Sequence, residues 1–565
     1  PAALALGSNG TVLKSDGTDI SWGTISSGPT HIEEGTNFTD SILISPNAST
    51  GTLSSATDNV GIGDDVFAAL TSGRNIVAIG SNAMDANTSG KNNVAVGHDA
   101  LSTNTTADNN TAVGKSALEL NTTGHSNIAI GPYALDATVT ANYNVAIGYE
   151  ALSGVALNSN TAIGYQAMKN NTDNYNVAVG TQALMTSTTA TSNTAIGTFA
   201  LYSTTTGDKN TAVGRSAMEA NTTGYDNVAV GRVSLDANTE GHSNTAVGES
   251  SLTSNTTGDR NIAIGQNSMA VNTTGSENVA VGRNALDANT TASGNTAVGD
   301  SAFTANTTGQ NGVAVGINAL AANTTGERNV AIGMNALDAN TTGGYNVAVG
   351  AIALTDATDG ARNTGVGYGA LNDLTTGDDN VGCGQDAGGA ITTASDNVAV
   401  GSYAMAQNTT GTANVCVGHR AGHDMSGNDH NTFVGYYAGE AITSGGSNTI
   451  IGSQAGDAQT TAHNNTFVGT RAGTSATTGN GYNTAIGVDA LEDCLTGSFN
   501  VALGTNAIAN VTSGANNIGI GYRAGKAGQP GGTVTSHSNR ICLGDTAISE
   551  FNCQVSLSVA SDQRD

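Results

Sequence analysis

The sequence predicts an all-β fold, a parallel β-solenoid (β-roll) of about 29 short coils with a 17-residue period, assembled as a parallel homotrimeric rod. The first observation behind it is the string N-x-A-[V/I]-G. It reads Asn93-Val94-Ala95-Val96-Gly97 and returns at Asn110, Asn127 and Asn144, slips to a spacing of sixteen at Asn160 and Asn176, then resumes at Asn193, Asn210 and Asn227, with its last return near Gly544. The second is a constant phrase between copies, A-L-x-A-N-T-T-G, whose first seven residues stand at Ala285 to Thr291. The third is size: a unit this short cannot bury a core of its own, so stacked neighbours must supply one.

Taken in order, residues 1–58 are aperiodic, with turn dipeptides at Asn9-Gly10 and Asp16-Gly17 and the only tryptophan, Trp22, and read as an N-terminal adaptor or cap. Residues 59–525 are the repeat shaft, opening at Asn59-Val60-Gly61-Ile62-Gly63. Residues 526–565 hold a Gly/Pro-rich insertion around Pro530, a last motif from Arg540 to Gly544, and an aperiodic tail. Within a repeat, x-A-V is too short for a helical turn and is bounded by Asn and Gly, which leaves a short strand with Val94 and Val96 on one side and Ala95 on the other. The phrase A-L-x-A is expected to form a second short strand, with N-T-T-G and the residues around the motif glycine making turns that tolerate positive φ. At about 4.8 Å per coil the shaft would be on the order of 140 Å long.

Composition supports this and excludes other classes. The 565 residues include 76 Gly but 5 Pro, and aromatics are 4%, which is neither collagen nor an ordinary large globular core. Apolar residues return at fixed phase, unlike those of a disordered polar tract. A net charge of −27, with 18 Lys+Arg scattered, opposes nucleic-acid binding. No apolar run approaches a membrane span and no charged-then-apolar leader opens the chain, so membrane insertion is not expected; Pro1 in place of Met suggests that the natural N-terminus lies upstream or was processed. Cys383, Cys416, Cys494, Cys542 and Cys553 lack C-x-x-C spacing and read as small buried thiols.

Side-chain identity is set by the neighbour in the stack. Asn255, Asn272, Asn289, Asn306, Asn323 and Asn340 recur at one phase, where amides one above another can hydrogen-bond along the axis. Leu101, Leu286, Leu320, Leu337 and Leu354 form the apolar line, with Met269 and Phe303 substituting. From about Gly418 onward A-L often becomes A-G while the motif's central Ala becomes large: Phe433 with Gly439, Ile450 with Gly456, Phe467 with Gly473. Volume moves between the two positions, as expected if both fill one space. Gly382 with Gly388 and Gly519 with Gly525 break the rule. If the Ala95 face points away from Val94 and Val96, that shared space would lie between subunits, and a trimer would bury it around a three-fold axis.

The string from Asn93 to Ala100, N-V-A-V-G-x-x-A, resembles the N-S-V-A-I-G-x-x-S repeat in the head of YadA-type trimeric adhesins, over roughly residues 59–525. That likeness implies left-handed parallel β-rolls, three side by side; here the unit is longer, and coiled-coil stalk and anchor barrel are lacking. The run from Gly10 to Gly23 is similar to a linker of tailed-phage fibre proteins, and the tail from Ile541 to Asp565 resembles the stretch just before an endosialidase-type intramolecular chaperone. In that family the chaperone trimerises the fibre and cuts itself off at a Ser-Asp bond within S-D-x-R. This maps to Ser561-Asp562, a candidate maturation cleavage point; the downstream catalytic Lys has no counterpart, so the chain reads as a released or truncated fibre without that activity.

His419, His423 and His430, with Asp424 and Asp429, are the densest ligand-like cluster and a candidate metal site; solvated loop histidines are the favoured reading, because the first two fall across a turn. Acidic residues such as Asp287, Glu327 and Asp338 sit at variable outward positions with no aromatic cluster to hold a sugar ring, so no catalytic residue and no cofactor is expected. The column Thr256, Thr273, Thr290, Thr307, Thr324 and Thr341 is compatible with ice binding or with exposed turns. The favoured function is a non-enzymatic structural fibre giving reach and host-surface adhesion, a bacteriophage tail fibre on the virion or otherwise extracellular. Its partners would be its own copies, a host glycan or protein receptor, and a baseplate or other fibre protein at the N-terminal end. A bacterial extracellular trimeric adhesin is the alternative, and an ice-binding solenoid the third reading.

Overall fold

The computed structural model describes residues 11–15, 20–24, 30–35, 38–45, 50–475, 481–526, 528 and 534–550, the first three segments by backbone alone. Among them there is no α-helix, and no helix able to cross a membrane; instead about 28 turns of parallel β-solenoid follow the 17-residue period. The chain divides into two units, Pro1–Arg283 and Asn284–Asp565.

In the first unit β1 (Thr11–Ser15) and β2 (Ile20–Thr24) form an antiparallel pair. β3 (Thr30–Gly35) pairs antiparallel with β4 (Phe38–Ser45), and β4 pairs in parallel with β5 (Ala56–Ile62), which continues to β6 (Arg74–Ile79). Parallel stacking therefore begins upstream of Asn59, inside the aperiodic segment. From β7 (Val94–Val96) to β18 (Val279–Val281) each strand has three residues, and like meets like: Val94 faces Thr111, Ala95 faces Ala112 and Val96 faces Val113. The sixteen-residue spacings keep this register, Ala146 facing Ala162 and Ala162 facing Ala178, so the lost residue comes out of a turn. The second unit repeats the plan from β19 (Thr296–Val298) to β33 (Ile541–Leu543). Across the Gly/Pro-rich insertion the described residues keep the stack: Thr512 N–H donates to Thr535 O at 2.8 Å across 23 residues, and Ile518–Ile520 pairs with Ile541–Leu543.

The second strand expected for A-L-x-A does not form. In the coil from Val313, Asn318 and Leu320 stand at φ +56° and +53°, which breaks the pleat, and the segment is a run of turns. Its backbone still bonds from coil to coil: Leu320 N–H to Ala336 O at 3.0 Å, Ala322 N–H to Asp338 O at 2.9 Å. A left-handed leucine costs on the order of 1 kcal/mol. Full burial of its side chain, about 1.5–3 kcal/mol, and the coil-to-coil bond offset that.

Ala95 does face away from Val94 and Val96, but the space it enters belongs to its own chain. Ala95, Leu101, Leu286, Leu320, Leu337, Phe433, Ile450 and Phe467 are all at 0% exposure within a single chain. The shared volume is thus the inside of each coil, which overturns its placement between subunits; the half-exposed face is that of the valines and isoleucines.

The same interior explains the Phe/Gly exchange. A Cβ on Gly439 would stand 3.1 Å from three atoms of the Phe433 ring, one on Gly473 2.4 Å from Phe467, and one on Gly456 2.9 Å from Ile450. The exceptions are filled from a third position, that of the N-T-T asparagine: Ile391 lies 3.0 Å from the point a Gly388 Cβ would take, and Val534, beside Ile508 and Cys542, closes on Gly525. Leu374, Ile391, Met425, Ile442, Cys494 and Val511 replace that asparagine in the later coils, all buried. Three positions, not two, share the volume.

Two glycine columns have different causes. Every motif glycine from Gly63 to Gly521 has φ between +109° and +145°, and a Cβ on Gly316 would meet Gly333 O at 2.5 Å. The N-T-T-G glycines, such as Gly309, need no positive φ; they only let the next carbonyl approach, Gly326 O at 2.4 Å from a Cβ there. Accordingly Ala107, Ala141, Ala190, Ala292, Ala394 and Ala462 stand in that column, whereas no alanine enters the first.

Candidate functional site

The interior holds the polar ladders. Asn323 Nδ2 donates to Asn306 Oδ1 at 3.0 Å and Asn340 Nδ2 to Asn323 Oδ1 at 2.7 Å; Asn306 likewise bonds Asn289, and Asn272 bonds Asn255. All six are buried, and the line stops where Ala357 follows Asn340, whose Oδ1 has no partner. A second ladder runs through the motif asparagines: Asn110 N–H donates to Asn93 Oδ1 at 2.8 Å, and Asn110 Nδ2 donates to Gly124 O at 2.8 Å. Asparagine is suited to both because one side chain can accept from one coil and donate to another. The threonine column is also structural. Thr256, Thr307, Thr324 and Thr341 each donate Oγ1–H to a carbonyl of the following coil at 3.0–3.1 Å, so stacking accounts for their recurrence.

What faces solvent is of two kinds. One is the sheet face. Its third-position column, Ile62, Ile79, Val96 and onward to Leu543, is Val, Ile or Leu at every step but Cys383, and members such as Ile264 and Ile332 are 39% and 41% exposed. The first-position column beside it alternates Val, Ile and Thr. Each unit thus carries a continuous strip of half-exposed Val, Ile and Leu side chains, whereas contiguous apolar patches on a monomer rarely exceed a few hundred Å².

The other is an aromatic and ionic cluster at the turns after the motif glycines, where sequence reasoning expected none. His419 lies 5.6 Å from Tyr436 with the rings 20° from parallel, and 5.5 Å from Tyr437 at 72°. Tyr436 and Tyr437 are 4.2 Å apart at 70°, and Tyr403 meets His419 at 6.4 Å and 82°. The Arg420 guanidinium sits 5.6 Å over the Tyr437 ring with Nε 2.7 Å from Glu440 Oε1, and Gln385 Nε2 donates to Tyr403 Oη at 2.8 Å. Four coils contribute. The clue was in the chain: 403 with 420, and 419 with 436, are one period apart.

No protein-family model, curated protein or solved structure matches the chain.

The histidines do not converge. His423 Nδ1 is 2.5 Å from Asp424 Oδ1 beside Tyr403, His419 belongs to the ring cluster, and His430 lines a separate polar groove of about 400 Å³ with Asp429, Ser444 and His463. Among the described residues no three His, Cys, Asp or Glu side chains gather in a metal-binding arrangement. Cys416 is wholly buried and its thiol pKa is pushed up by that burial; Cys494 is raised to about 11 for the same reason, while Cys383 is exposed. Ser561 and Asp562 lie outside the described residues.

One acidic column follows the core leucine. Burial raises the carboxyl pKa of Asp85, Asp236, Asp287 and Asp338, and takes Asp136 from 3.8 to about 6 with added repulsion from Glu119 and Glu150, against backbone hydrogen bonds that lower it. A carboxyl whose folded pKa is raised favours the folded state when protonated, so its contribution is complete below the unfolded value and is lost as pH rises through the folded one. The first unit is therefore expected to be more stable at pH 5 than at pH 7.5. Asp136→Asn should gain about 1 kcal/mol at pH 7.5, after discounting for partial exposure. Glu150 and Asp379, lowered by Lys169 and Arg362, titrate below this window. Thermal denaturation across pH checks it; a Tm flat from pH 5 to 7.5 would exclude it.

Proposed function

We propose that the chain is the shaft of a homotrimeric fibre whose copies pack through the Val/Ile sheet face, a structural and adhesive element of a phage tail fibre or a similar extracellular fibre. The observation that carries this is the apolar third-position column, which stays exposed although the coil's own core is complete. Threonine, polar and equally β-branched, stands in the first-position column and would serve here in a lone rod; an interface between copies favours apolar residues instead. A rotational axis along the stack would bring the strips of the copies together level by level. The net charge of −27 keeps assembled fibres apart.

Light scattering of the purified chain should give three times 55.9 kDa. The variant carrying Val315→Asp, Ile332→Asp and Val349→Asp should run as a monomer with unchanged β circular dichroism, since these side chains point out of the coil. A monomeric parent chain, or a variant that remains trimeric, would rule out this face as the interface.

A further inference from the structure

We infer that the cluster of Gln385, Tyr403, His419, Arg420, Tyr436 and Tyr437 is a binding platform for the neutral pyranose sugars of a surface glycan. The inference rests on the adhesive-fibre reading and gives it a place and a ligand class.

Elsewhere among the described residues rings meet in pairs or in the short row Tyr133, Tyr149 and Tyr165, some stacked and some edge-on, as His125 with Tyr143 (5.0 Å, 90°) and Phe199 with Tyr202 (5.8 Å, 84°). Tyr149 with Tyr165 (5.7 Å, 11°) and Tyr482 with Phe499 (5.1 Å, 7°) turn their faces to each other and occupy them. Among the described residues only Tyr403, His419, Tyr436 and Tyr437 join in one group with a guanidinium over a ring, so that ring faces are presented together in more than one direction. Ring faces are negative and attract the weakly positive C–H side of a pyranose, while the edges and the phenol oxygens suit its hydroxyls. Tyr436 is 52% exposed, so its surface is open to a ligand.

The polar groups around the rings are the kind that fix a sugar's orientation. Gln385 uses an amide proton on Tyr403 and keeps its carbonyl oxygen, and the Arg420–Glu440 ion pair carries further N–H groups and lone pairs of the kind that match adjacent hydroxyls. The pair is also held: Arg420 lies against Tyr437, and Gly422, two residues on, packs against the buried Phe433 and Met425. Four coils span about 14 Å at the usual strand spacing, the footprint of an oligosaccharide rather than one ring. Asp386, Asp424 and Glu440 at the rim, with the acidic chain around them, repel polyanions, which selects neutral sugars.

The test uses the full chain on an array of mannose-, galactose-, glucose- and N-acetylhexosamine-terminated oligosaccharides alongside sialylated and uronic-acid glycans, with light scattering on the same samples. Neutral glycans should be retained; Tyr436→Ala should weaken retention about tenfold or more, and Tyr225→Ala, a ring of the other unit, should not. Retention of anionic glycans alone, of none, or equal binding by Tyr436→Ala and the parent overturns the platform; so does equal loss in both variants. A trimer in those samples leaves the fibre reading standing, whereas a monomer with Tyr436-dependent binding overturns the fibre reading alone.

Discussion

Gly316→Ala is expected to destabilise the second unit by more than about 4 kcal/mol, beyond the usual range for a single substitution. Two costs combine. An alanine at φ +137° is strained by about 1–3 kcal/mol wherever it stands. Its Cβ would also lie 2.5 Å from Gly333 O, a backbone atom that can retreat only if two coils separate. Separation loosens the bonds that hold this level, Gly316 N–H to Val298 O and Gly333 N–H to Val315 O, both 2.8 Å. Because coils in a solenoid contact only their neighbours, a weak level should divide the unit, and thermal or urea unfolding should show two transitions in place of one. Gly309→Ala is the control. It too brings a Cβ against a carbonyl, yet its φ is ordinary and six alanines already occupy its column, so a loss of about 1 kcal/mol is expected. Equal melting temperatures for the two variants would contradict the strain account.

The contrast between these glycines shows what the period conveys and what it conceals. Asn93 to Gly97 spell out the strand, its direction and its stacking, since only an in-register parallel ladder needs the same residue every seventeen positions. The turn side was harder to read. Leucine has no preference for left-handed φ, so nothing local marks Leu101 or Leu320 as turn residues; burial and coil-to-coil bonds impose that conformation. The misplaced interface has the same origin. Alternation along the strand sets Ala95 opposite Val94 and Val96 but does not say which side is the inside of the coil, and the turns fold Leu101 in on the Ala95 side, where both are buried. Tyr403, His419, Tyr436 and Tyr437 occupy variable positions, and variable positions join into a surface only when sorted by phase. The motif asparagines were visible as repeats, but their role as a second amide ladder depends on an acceptor fourteen residues onward, such as Gly124 for Asn110.

The exchange of volume inside the coil yields the second large effect. Phe433→Ala should cost about 3–5 kcal/mol, the range for removing a buried aromatic ring. Gly439→Leu alone should cost about 1–3 kcal/mol, because its Cβ would already press on three ring atoms at 3.1 Å. Together the two changes, beside the native Ile442, recreate a combination the chain uses elsewhere: one small and two branched apolar side chains, as in Ala502 with Ile508 and Val511, all buried. The left-handed site is no obstacle, since Gly439 has φ +59° and Leu491, at the same phase, has +57°. The double variant should therefore be more stable than Phe433→Ala, with a favourable coupling energy of about 2 kcal/mol or more. Rescue should be incomplete, because the Phe433 ring also closes over the preceding coil, 2.9 Å from where a Gly422 Cβ would stand. Urea unfolding of the parent, both single variants and the double variant measures the coupling; additive losses would mean that Phe433 and Gly439 do not share one space.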